Sequence, residues 1–181
     1  MNKIEKIMRK IAREILLKLR NPSRYILERK IFPKIKNKRT LLVGVAYYTA
    51  DYPKRLKENH LWTIDINPEA AEFGAKKHII GNVVYIDKYF PENFFDVIIL
   101  FGVFGYGLDK IEEAEKTMRN CARVLKKKGQ LIIQWTNIQG HNQINPRKLK
   151  NFDLYTPRTL YGFKSGHRTT NKAVFEFLIK K

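Results

Sequence analysis

The first twenty residues place apolar side chains at intervals of three and four. An α-helix turns once every 3.6 residues, so side chains with this spacing share one face. Lysine and arginine residues occupy most of the remaining positions. The pattern predicts an amphipathic helix over residues 2–19, ended by Asn21-Pro22-Ser23 because proline does not continue a helix. The apolar residues are Ile4, Ile7, Met8, Ile11, Ile15, Leu16 and Leu19.

The next segment is short and basic. Residues 24–31 have the composition of a second short helix, and residues 33–39 are predicted to form a basic linker. Short apolar runs then alternate with helical stretches from residue 40 onwards. The predicted organisation is therefore a helical arm and linker over residues 1–39, followed by one domain over residues 40–181.

The alternation after residue 40 indicates the fold class. Strands separated by helices favour a parallel sheet, because parallel neighbours need a crossover connection. We predict an α/β fold that is Rossmann-like and doubly wound. Its sheet has about six or seven mainly parallel strands, preceded by the amphipathic helix. The predicted strands are 41–45, 61–66, 78–80, 95–101, 130–135 and a final antiparallel strand 173–179 at or near an edge; the predicted helices are 51–58, 70–77 and 109–127, with mainly loop over 136–170.

Polar and glycine residues follow several of these strands. In open parallel sheets, ligands bind beyond the carboxyl ends of the strands, so these positions are candidate binding residues. Asp65 ends the second strand and has the chemistry to accept hydrogen bonds from both hydroxyls of a ribose. The alternative is an aspartate that caps the following helix or merely lies at the surface. The run Gly102 to Gly107 predicts either a loop closing over a ligand, with Tyr106 lining the pocket, or a tight turn with its aromatic residues in the core.

Charge adds a second feature to this picture. The chain has 36 Lys and Arg residues against 17 Asp and Glu residues, a net charge of +19. Residues 1–40 hold 14 of the basic residues and 3 of the acidic ones. Such a surface attracts polyanions. One hypothesis is that residues 1–20 lie on an anionic membrane surface. The alternative is that the apolar stripe packs on the domain or on a second subunit, and nucleic acid is a weaker candidate because no recognisable RNA or DNA motif is present.

Other classes of protein are disfavoured by the sequence. The sequence contains no run of about 18 apolar residues, so no membrane-spanning helix is predicted. The charged N-terminus does not resemble a secretory signal, and a single cysteine, Cys121, leaves no internal disulfide to form. The histidines and the cysteine lack metal-ligand spacing, so no metal site is predicted. A cytoplasmic protein, peripheral to the inner face of the membrane, fits these features.

Several phrases between residues 40 and 137 resemble one family. The chain is similar to class I S-adenosylmethionine (AdoMet)-dependent methyltransferases, in the order and spacing of these phrases rather than in any one of them. Those around residues 62–74 and 90–108 also resemble methyltransferase-like proteins associated with bacterial surface-glycan genes. The matching phrases are Leu41–Gly44, Thr63–Glu69, Gly81-Asn82, Phe90-Pro91, Phe95–Ile98, Arg123–Lys126 and Gly129–Ile133.

The resemblance implies AdoMet as the cofactor and assigns its binding residues. Gly44 would lie beside the amino-acid portion of AdoMet, and Asp65 would hold its ribose. Asn82, or Asp87 as a second choice, would meet the adenine amino group. Phe101 and Gly102 would flank the methionine end. The full set of expected cofactor-binding residues is Gly44, Val45, Ala46, Tyr47, Asp65, Ile66, Asn82, Phe101 and Gly102.

The first motif departs from the family pattern. Leu42, Ala46 and Tyr48 stand where the family usually has an acid and two glycines. Two functions therefore remain open: an AdoMet-dependent methyltransferase for a small or lipid-linked acceptor, such as a glycan precursor, and a non-catalytic methyltransferase-like binding or scaffold protein at the membrane surface. If the acceptor must lose a proton, the candidate bases are Tyr106, Asp109 and His141.

Overall fold

The structure is a computed structural model that describes residues 3–136 and 144–181. The five strands β1 to β5 form a parallel sheet in the order β3-β2-β1-β4-β5. The order reverses between β1 and β4, the position at which sheets of this kind bind ligands. The Rossmann-like α/β prediction is confirmed. The strands are β1 Arg39–Val43, β2 His60–Asp65, β3 Lys77–Ile80, β4 Phe95–Phe101 and β5 Leu125–Thr136.

The C-terminal part of the chain completes the sheet with short strands. β10 (Ala173–Lys180) runs antiparallel to β5 and separates it from β6 (Tyr155–Pro157), so it lies one strand in from the edge. β9 (His167–Arg168) also pairs with β10, which gives eight strands in the sheet over the described residues. β7 (Thr159–Leu160) and β8 (Phe163–Lys164) form a separate hairpin. The predicted loop 136–170 thus contains several short strands where the structure describes it.

The hydrophobic core lies on both faces of the sheet. In β4, Val97 and Ile99 belong to the cluster on one face, while Ile98 and Leu100 belong to the cluster on the other. A strand covered on both faces has no solvent-facing positions to alternate with, which explains its apolar run from Val97 to Phe101. Helix α4 (Ile111–Val124) covers one face through residues such as Met118.

Residues 22–35 cover the opposite face. Helix α2 (Pro22–Ile26) continues into a π-helical turn, Leu27–Ile31, and a 3₁₀ turn, Phe32–Lys34. The linker predicted from residue 33 is therefore partly helical, and its Ile35 belongs to the core. Glu28 is buried in the 22–35 segment as well, and the apolar residues pack on the sheet. Those residues are Ile26, Leu27, Ile31, Phe32 and Ile35.

Three predicted helices are shorter in the structure. Helix α3 spans only Tyr52–Arg55, and residues 68–73 form a 3₁₀ helix. Helix α4 ends at Val124 rather than residue 127, because backbone amides from the 93–94 turn satisfy its last carbonyls. Asn93 N donates to Arg123 O at 3.1 Å, and Phe94 N donates to Val124 O at 2.7 Å. The chain enters β5 at once.

Helix α1 (Lys3–Arg20) presents its apolar stripe to solvent. Ile4 is 71% exposed and Leu19 is 72% exposed, and the five residues between them on the stripe are exposed as well. Among the residues of α1 whose burial is described, Glu14 and Leu17 are half-buried, and neither belongs to the stripe. The alternative in which the stripe packs on the domain is therefore wrong. Among the described residues, the structure contains no helix with the length and hydropathy needed to cross a membrane.

Candidate functional site

A cavity opens at the carboxyl ends of β1, β2 and β4. Its volume is about 250 Å³. The backbone turns away from each strand at Gly44, Ile66 and Gly102, and these turns form the rim. We call this space the first cavity. The expected cofactor-binding residues that line it are Gly44, Val45, Asp65, Ile66, Asn82, Phe101 and Gly102.

Asp65 is half-buried at this rim, with its carboxylate held by two backbone amides. Val45 N donates to Asp65 Oδ2 at 2.9 Å, and Asn67 N donates to Asp65 Oδ1 at 2.8 Å. The residue that caps the following 3₁₀ helix is Asn67 and not Asp65, because Asn67 Oδ1 accepts a hydrogen bond from Glu69 N at 3.0 Å. A carboxylate offers about four lone-pair positions, so each oxygen of Asp65 retains capacity for a ligand hydroxyl.

Gly44 and Gly102 give the chain two sharp turns beside Asp65. Both have positive φ, +84° and +68°, which residues other than glycine adopt at a cost. A Cβ at Gly44 would lie 3.6 Å from Val103 Cγ1 and 3.7 Å from the Phe101 carbonyl oxygen. The turn itself is fixed by Gly44 N, which donates to Ile64 O at 3.0 Å. The backbone is thus exposed to the cavity at the two strand ends that flank the switch in strand order.

Ala46 and Tyr48, which replace glycines of the first motif, and the neighbouring Tyr47 do not fill the first cavity. Ala46 has extended backbone angles, and Tyr47–Thr49 then form a 3₁₀ turn. This turn directs the rings outwards, so that Tyr47 is 75% exposed and Tyr48 is 51% exposed. Tyr48 lines the first cavity, whereas Ala46 and Tyr47 lie outside it.

Asn82 and Asp87 were alternative partners for an adenine amino group. Asn82 lines the first cavity, where its Oδ1 already accepts from Val84 N at 2.9 Å. Asp87 lies away from the cavity lining and accepts from Asn120 Nδ2 at 2.8 Å. Of the two, only Asn82 is positioned to meet a ligand in this cavity.

A second cavity of about 550 Å³ adjoins the first. The two share four lining residues: Tyr48, Phe101, Gly102 and Tyr106. The rest of the second cavity carries mainly hydroxyl and amide side chains, together with Arg24. These residues are Asn21, Ser23, Arg24, Tyr47, Gln134, Thr136 and Asn171.

Contacts between distant segments hold this second cavity together. Asn171 Nδ2 donates to Ser23 Oγ at 3.2 Å, and Ser23 Oγ donates to Asn21 Oδ1 at 3.0 Å. Gln134, near the end of β5, is buried, and its backbone carbonyl oxygen accepts a hydrogen bond from Gly102 N at 3.1 Å. The cavity wall therefore depends on the N-terminal segment as much as on the sheet.

Glu28 connects the N-terminal segment to the tyrosine turn. Its carboxylate is buried and forms ion pairs with Arg24 at 2.9 Å and with Arg29 and Arg55 at 3.3 Å. Arg24 Nη2 also donates to the Tyr48 carbonyl at 2.6 Å. Tyr52 packs beside this cluster while lining the first cavity, and burial raises the pKa of its hydroxyl.

The candidate bases are not gathered at one point. Tyr106 lies where the two cavities meet and is 56% exposed. Asp109 is exposed and lies outside the lining of both cavities. His141 falls outside the described residues. Within residues 3–136 and 144–181, no group of three or more His, Cys, Asp or Glu side chains is arranged to hold a metal ion.

Sequence reasoning missed the second cavity and part of the first. The strand-end pattern pointed to Gly44, Asp65 and Gly102, but nothing local marked Gln134 or Asn171 as neighbours of those residues. The Arg24–Glu28 spacing of four residues was a usable signal for an ion pair, since such residues face each other on a helix. It did not reveal that Arg24 reaches the Tyr48 turn.

Comparison with solved structures supports the same architecture. A TehB-like SAM-dependent methyltransferase from Corynebacterium glutamicum superposes with a TM-score of 0.66 at 15% identity, covering 96% of this chain and 97% of that chain. The N-methyltransferase NodS from Bradyrhizobium japonicum, solved with S-adenosyl-L-homocysteine, gives a TM-score of 0.61 at 14% identity, covering 80% of this chain and 79% of that one. At these identities the likeness establishes the fold.

Sequence comparison identifies the family. A curated relative from Yersinia pestis, the ubiquinone/menaquinone biosynthesis C-methyltransferase UbiE, is 37% identical over 100 residues, which are 50% of this chain and 38% of that protein. The chain thus matches less than half the length of this relative. A family model described as a methyltransferase domain matches residues 41–133, which include β2 to β4 and most of β1 and β5. From the sheet order, the family match and these neighbours, we conclude that the chain belongs to the class I AdoMet-dependent methyltransferases.

Proposed function

We propose that the protein is an AdoMet-dependent methyltransferase that binds AdoMet in the first cavity and a small or lipid-linked acceptor in the second. The observation that carries this proposal is Asp65, whose carboxylate faces the first cavity with acceptor capacity left on both oxygens. Bound AdoMet would supply an activated methyl group. The contribution of the protein is then mainly to hold donor and acceptor in line.

The residues present fit this cofactor. Asp65 would accept from the ribose hydroxyls, and Asn82 would meet the adenine, beside the apolar side chains of Ile66 and Val83. Gly44 and Gly102 leave the backbone open to the amino-acid portion. Phe101 and Gly102 belong to both cavities, so the methyl end would point towards the second one.

The second cavity sets the chemistry of the acceptor. Amide groups from Gln134 and Asn171 and hydroxyls from Tyr106 and Thr136 suit a neutral acceptor with several hydroxyl or carbonyl groups. A glycan precursor has this chemistry, and the exposed tyrosine rings offer flat surfaces for a sugar ring. Tyr106 is the candidate to take or orient a proton, because it lies at the junction of the cavities.

A second acceptor class is favoured by the curated relatives. They are named ubiquinone/menaquinone biosynthesis C-methyltransferases, and an aromatic quinone precursor would also suit a cavity lined by Tyr47, Tyr48 and Tyr106. We infer that either acceptor is met at the inner face of the membrane by a cytoplasmic protein, because residues 1–40 concentrate the positive charge.

The cofactor proposal is tested by calorimetry of the full chain with AdoMet and S-adenosylhomocysteine. We expect binding of both, with the Asp65→Ala variant much weaker than the wild type. The competing function, a non-catalytic scaffold, rests on the altered first motif at Leu42, Ala46 and Tyr48. Absence of binding at millimolar ligand by a folded wild-type protein would favour the scaffold and overturn the enzyme.

A further inference from the structure

The apolar stripe of α1 is an unpartnered surface joined to one end of the second cavity. The helix ends at Arg20, and the next residue, Asn21, lines that cavity. Seven apolar side chains of the stripe are between 47% and 72% exposed. A contiguous apolar face of this kind marks an interaction surface.

The charge around the stripe selects its occupant. Most of the exposed cationic side chains of α1 lie on the helix beside the stripe, which is the arrangement of helices that rest in a lipid interface. A second copy of the chain also carries +19, so self-association through α1 would bring like charges together. An anionic lipid surface instead satisfies both the stripe and the charge. The exposed cationic residues are Lys6, Arg9, Arg13, Lys18 and Arg20.

Helix α1 contacts the rest of the protein through side chains as well as through the chain connection at Asn21. The Nε–H of Arg29 is shared between the two carboxylate oxygens of Glu14, at 2.7 and 2.8 Å, and Arg29 Nη2 forms an ion pair with Glu14 at 2.6 Å. Arg29 also pairs with Glu28, which is bound to Arg24 in the cavity wall. These contacts link the orientation of α1 to the wall of the second cavity.

We propose that α1 docks on an anionic membrane surface and that the second cavity then opens at that surface, so that the acceptor enters from the lipid interface. An interfacial helix lies about 5–10 Å deep at the headgroup boundary. Asn21 follows the helix directly, so the adjoining edge of the cavity lies at headgroup depth. The acceptor class this selects is an amphiphile with an anchored tail and a polar head. The entry route rests on the proposed function, whereas the docking of α1 does not.

Docking is tested by co-sedimentation of the full chain with phosphatidylcholine vesicles that contain or lack 30% phosphatidylglycerol. We expect binding to the anionic vesicles only, weakened by salt. The Ile7→Gln/Ile11→Gln/Ile15→Gln variant keeps the net charge and the helix propensity, and should bind at least tenfold more weakly. Circular dichroism checks that its helix is retained.

A matched pair of variants separates local charge from total charge. Arg9→Gln/Arg13→Gln removes two charges from α1 and should weaken vesicle binding at least fivefold. Lys54→Gln/Lys57→Gln removes two exposed charges from the α3 region and should change binding less than twofold. Equal losses for the two variants, or unchanged binding by the triple glutamine variant, would overturn docking through α1.

The orientation is tested with a fluorophore at Thr170→Cys, beside the second cavity, or at Lys127→Cys, near the start of β5 at the opposite end of the sheet. Burial raises the pKa of the native Cys121 thiol to about 12, so the label goes to the introduced cysteine. With a nitroxide on the lipid headgroup, we expect strong quenching at residue 170 and little at residue 127.

The outcomes separate the two parts of the proposal from each other and from the proposed function. Stronger or equal quenching at residue 127 would overturn entry from the membrane and leave docking intact. A wild-type dimer in light scattering that the triple glutamine variant abolishes would assign the stripe to a second copy. None of these measurements requires AdoMet, so a failure of cofactor binding does not affect them.

Discussion

The two cavities share one wall but are built in different ways. The first is formed by the ends of three strands that are neighbours in the sheet. Backbone turns at Gly44 and Gly102 surround the carboxylate of Asp65 there. The second is assembled from side chains far apart in the chain, such as Ser23 and Asn171. The geometry of the first cavity is fixed once the sheet forms, because backbone turns build it. The geometry of the second cavity depends on how the N-terminal segment packs against the sheet.

Among the tests of this contrast, the Asp65→Ala variant is expected to have the largest effect. Loss of the carboxylate removes charge-assisted hydrogen bonds worth about 1.5–3 kcal/mol each, so the dissociation constant of S-adenosylhomocysteine should rise about 100-fold. Calorimetry measures the change. Asp153→Ala, an exposed aspartate outside both cavities, serves as the control and should bind as the wild type does. An equal loss in both variants would contradict the role of Asp65.

The wall shared by both cavities is tested at Glu28. The Glu28→Gln variant leaves three arginines around a neutral buried amide, and we expect the free energy of unfolding to fall by about 3 kcal/mol. Urea denaturation followed by circular dichroism measures it. Glu58→Gln breaks an exposed ion pair with Lys36 and should change stability by less than about 0.5 kcal/mol. A similar small change at Glu28 would mean that the cluster does not hold the wall.

A third test separates backbone strain from ligand approach in the first cavity. Gly44→Ala and Gly162→Ala each place a Cβ at positive φ, and each should lower the free energy of unfolding by about 1 kcal/mol. Only Gly44 lines the first cavity. Its variant alone should weaken S-adenosylhomocysteine binding, by about tenfold. If Gly162→Ala weakens binding as much, then strain rather than contact explains the effect.

The smallest expected effect is a pH dependence from His78, which lines neither cavity. Burial lowers the pKa of its ring, although the charge of Asp65 acts in the opposite sense. The unfolded chain therefore takes up the proton first. The stabilisation is complete above the unfolded pKa of about 6.5 and is lost as the pH falls through 6.5 towards the lower folded pKa.

Urea titrations at pH 7.5, 6.5 and 5.5 should show this loss of stability. The free energy of unfolding should depend less steeply on pH in the His78→Gln variant. An unchanged slope in that variant would assign the dependence to other groups. The binding of S-adenosylhomocysteine should be the same for both proteins at pH 7.5, since His78 bonds to Thr63 Oγ1 at 2.9 Å rather than to a cavity residue.

Local pattern was sufficient to predict the sheet and the polar strand ends. The bounds of β4 were predicted to the residue, because a strand buried on both faces is apolar at nearly every position, here at all but Asp96. The helices were predicted too long. Their ends are set by partners from elsewhere, such as the amides of Asn93 and Phe94 that end α4.

The candidate site divides in the same way. Asp65 was recognisable because it is an acidic residue at the carboxyl end of a strand. The direction of the Tyr47 and Tyr48 rings was not, because it follows from a 3₁₀ turn and from the bond between Arg24 and the Tyr48 carbonyl. Ser23 and Asn171 are 148 residues apart, and no local spacing reports such a contact.

The packing of residues 22–35 bears on how this protein is best produced for experiments. Truncation at residue 39 would follow the apparent domain boundary, yet it would uncover one face of the sheet by removing Leu27, Ile31 and Phe32. Such a product would expose a broad apolar surface and aggregate, even though every residue of the family match is retained. Expression trials should therefore remove no more than α1 and keep the chain from Asn21 onwards.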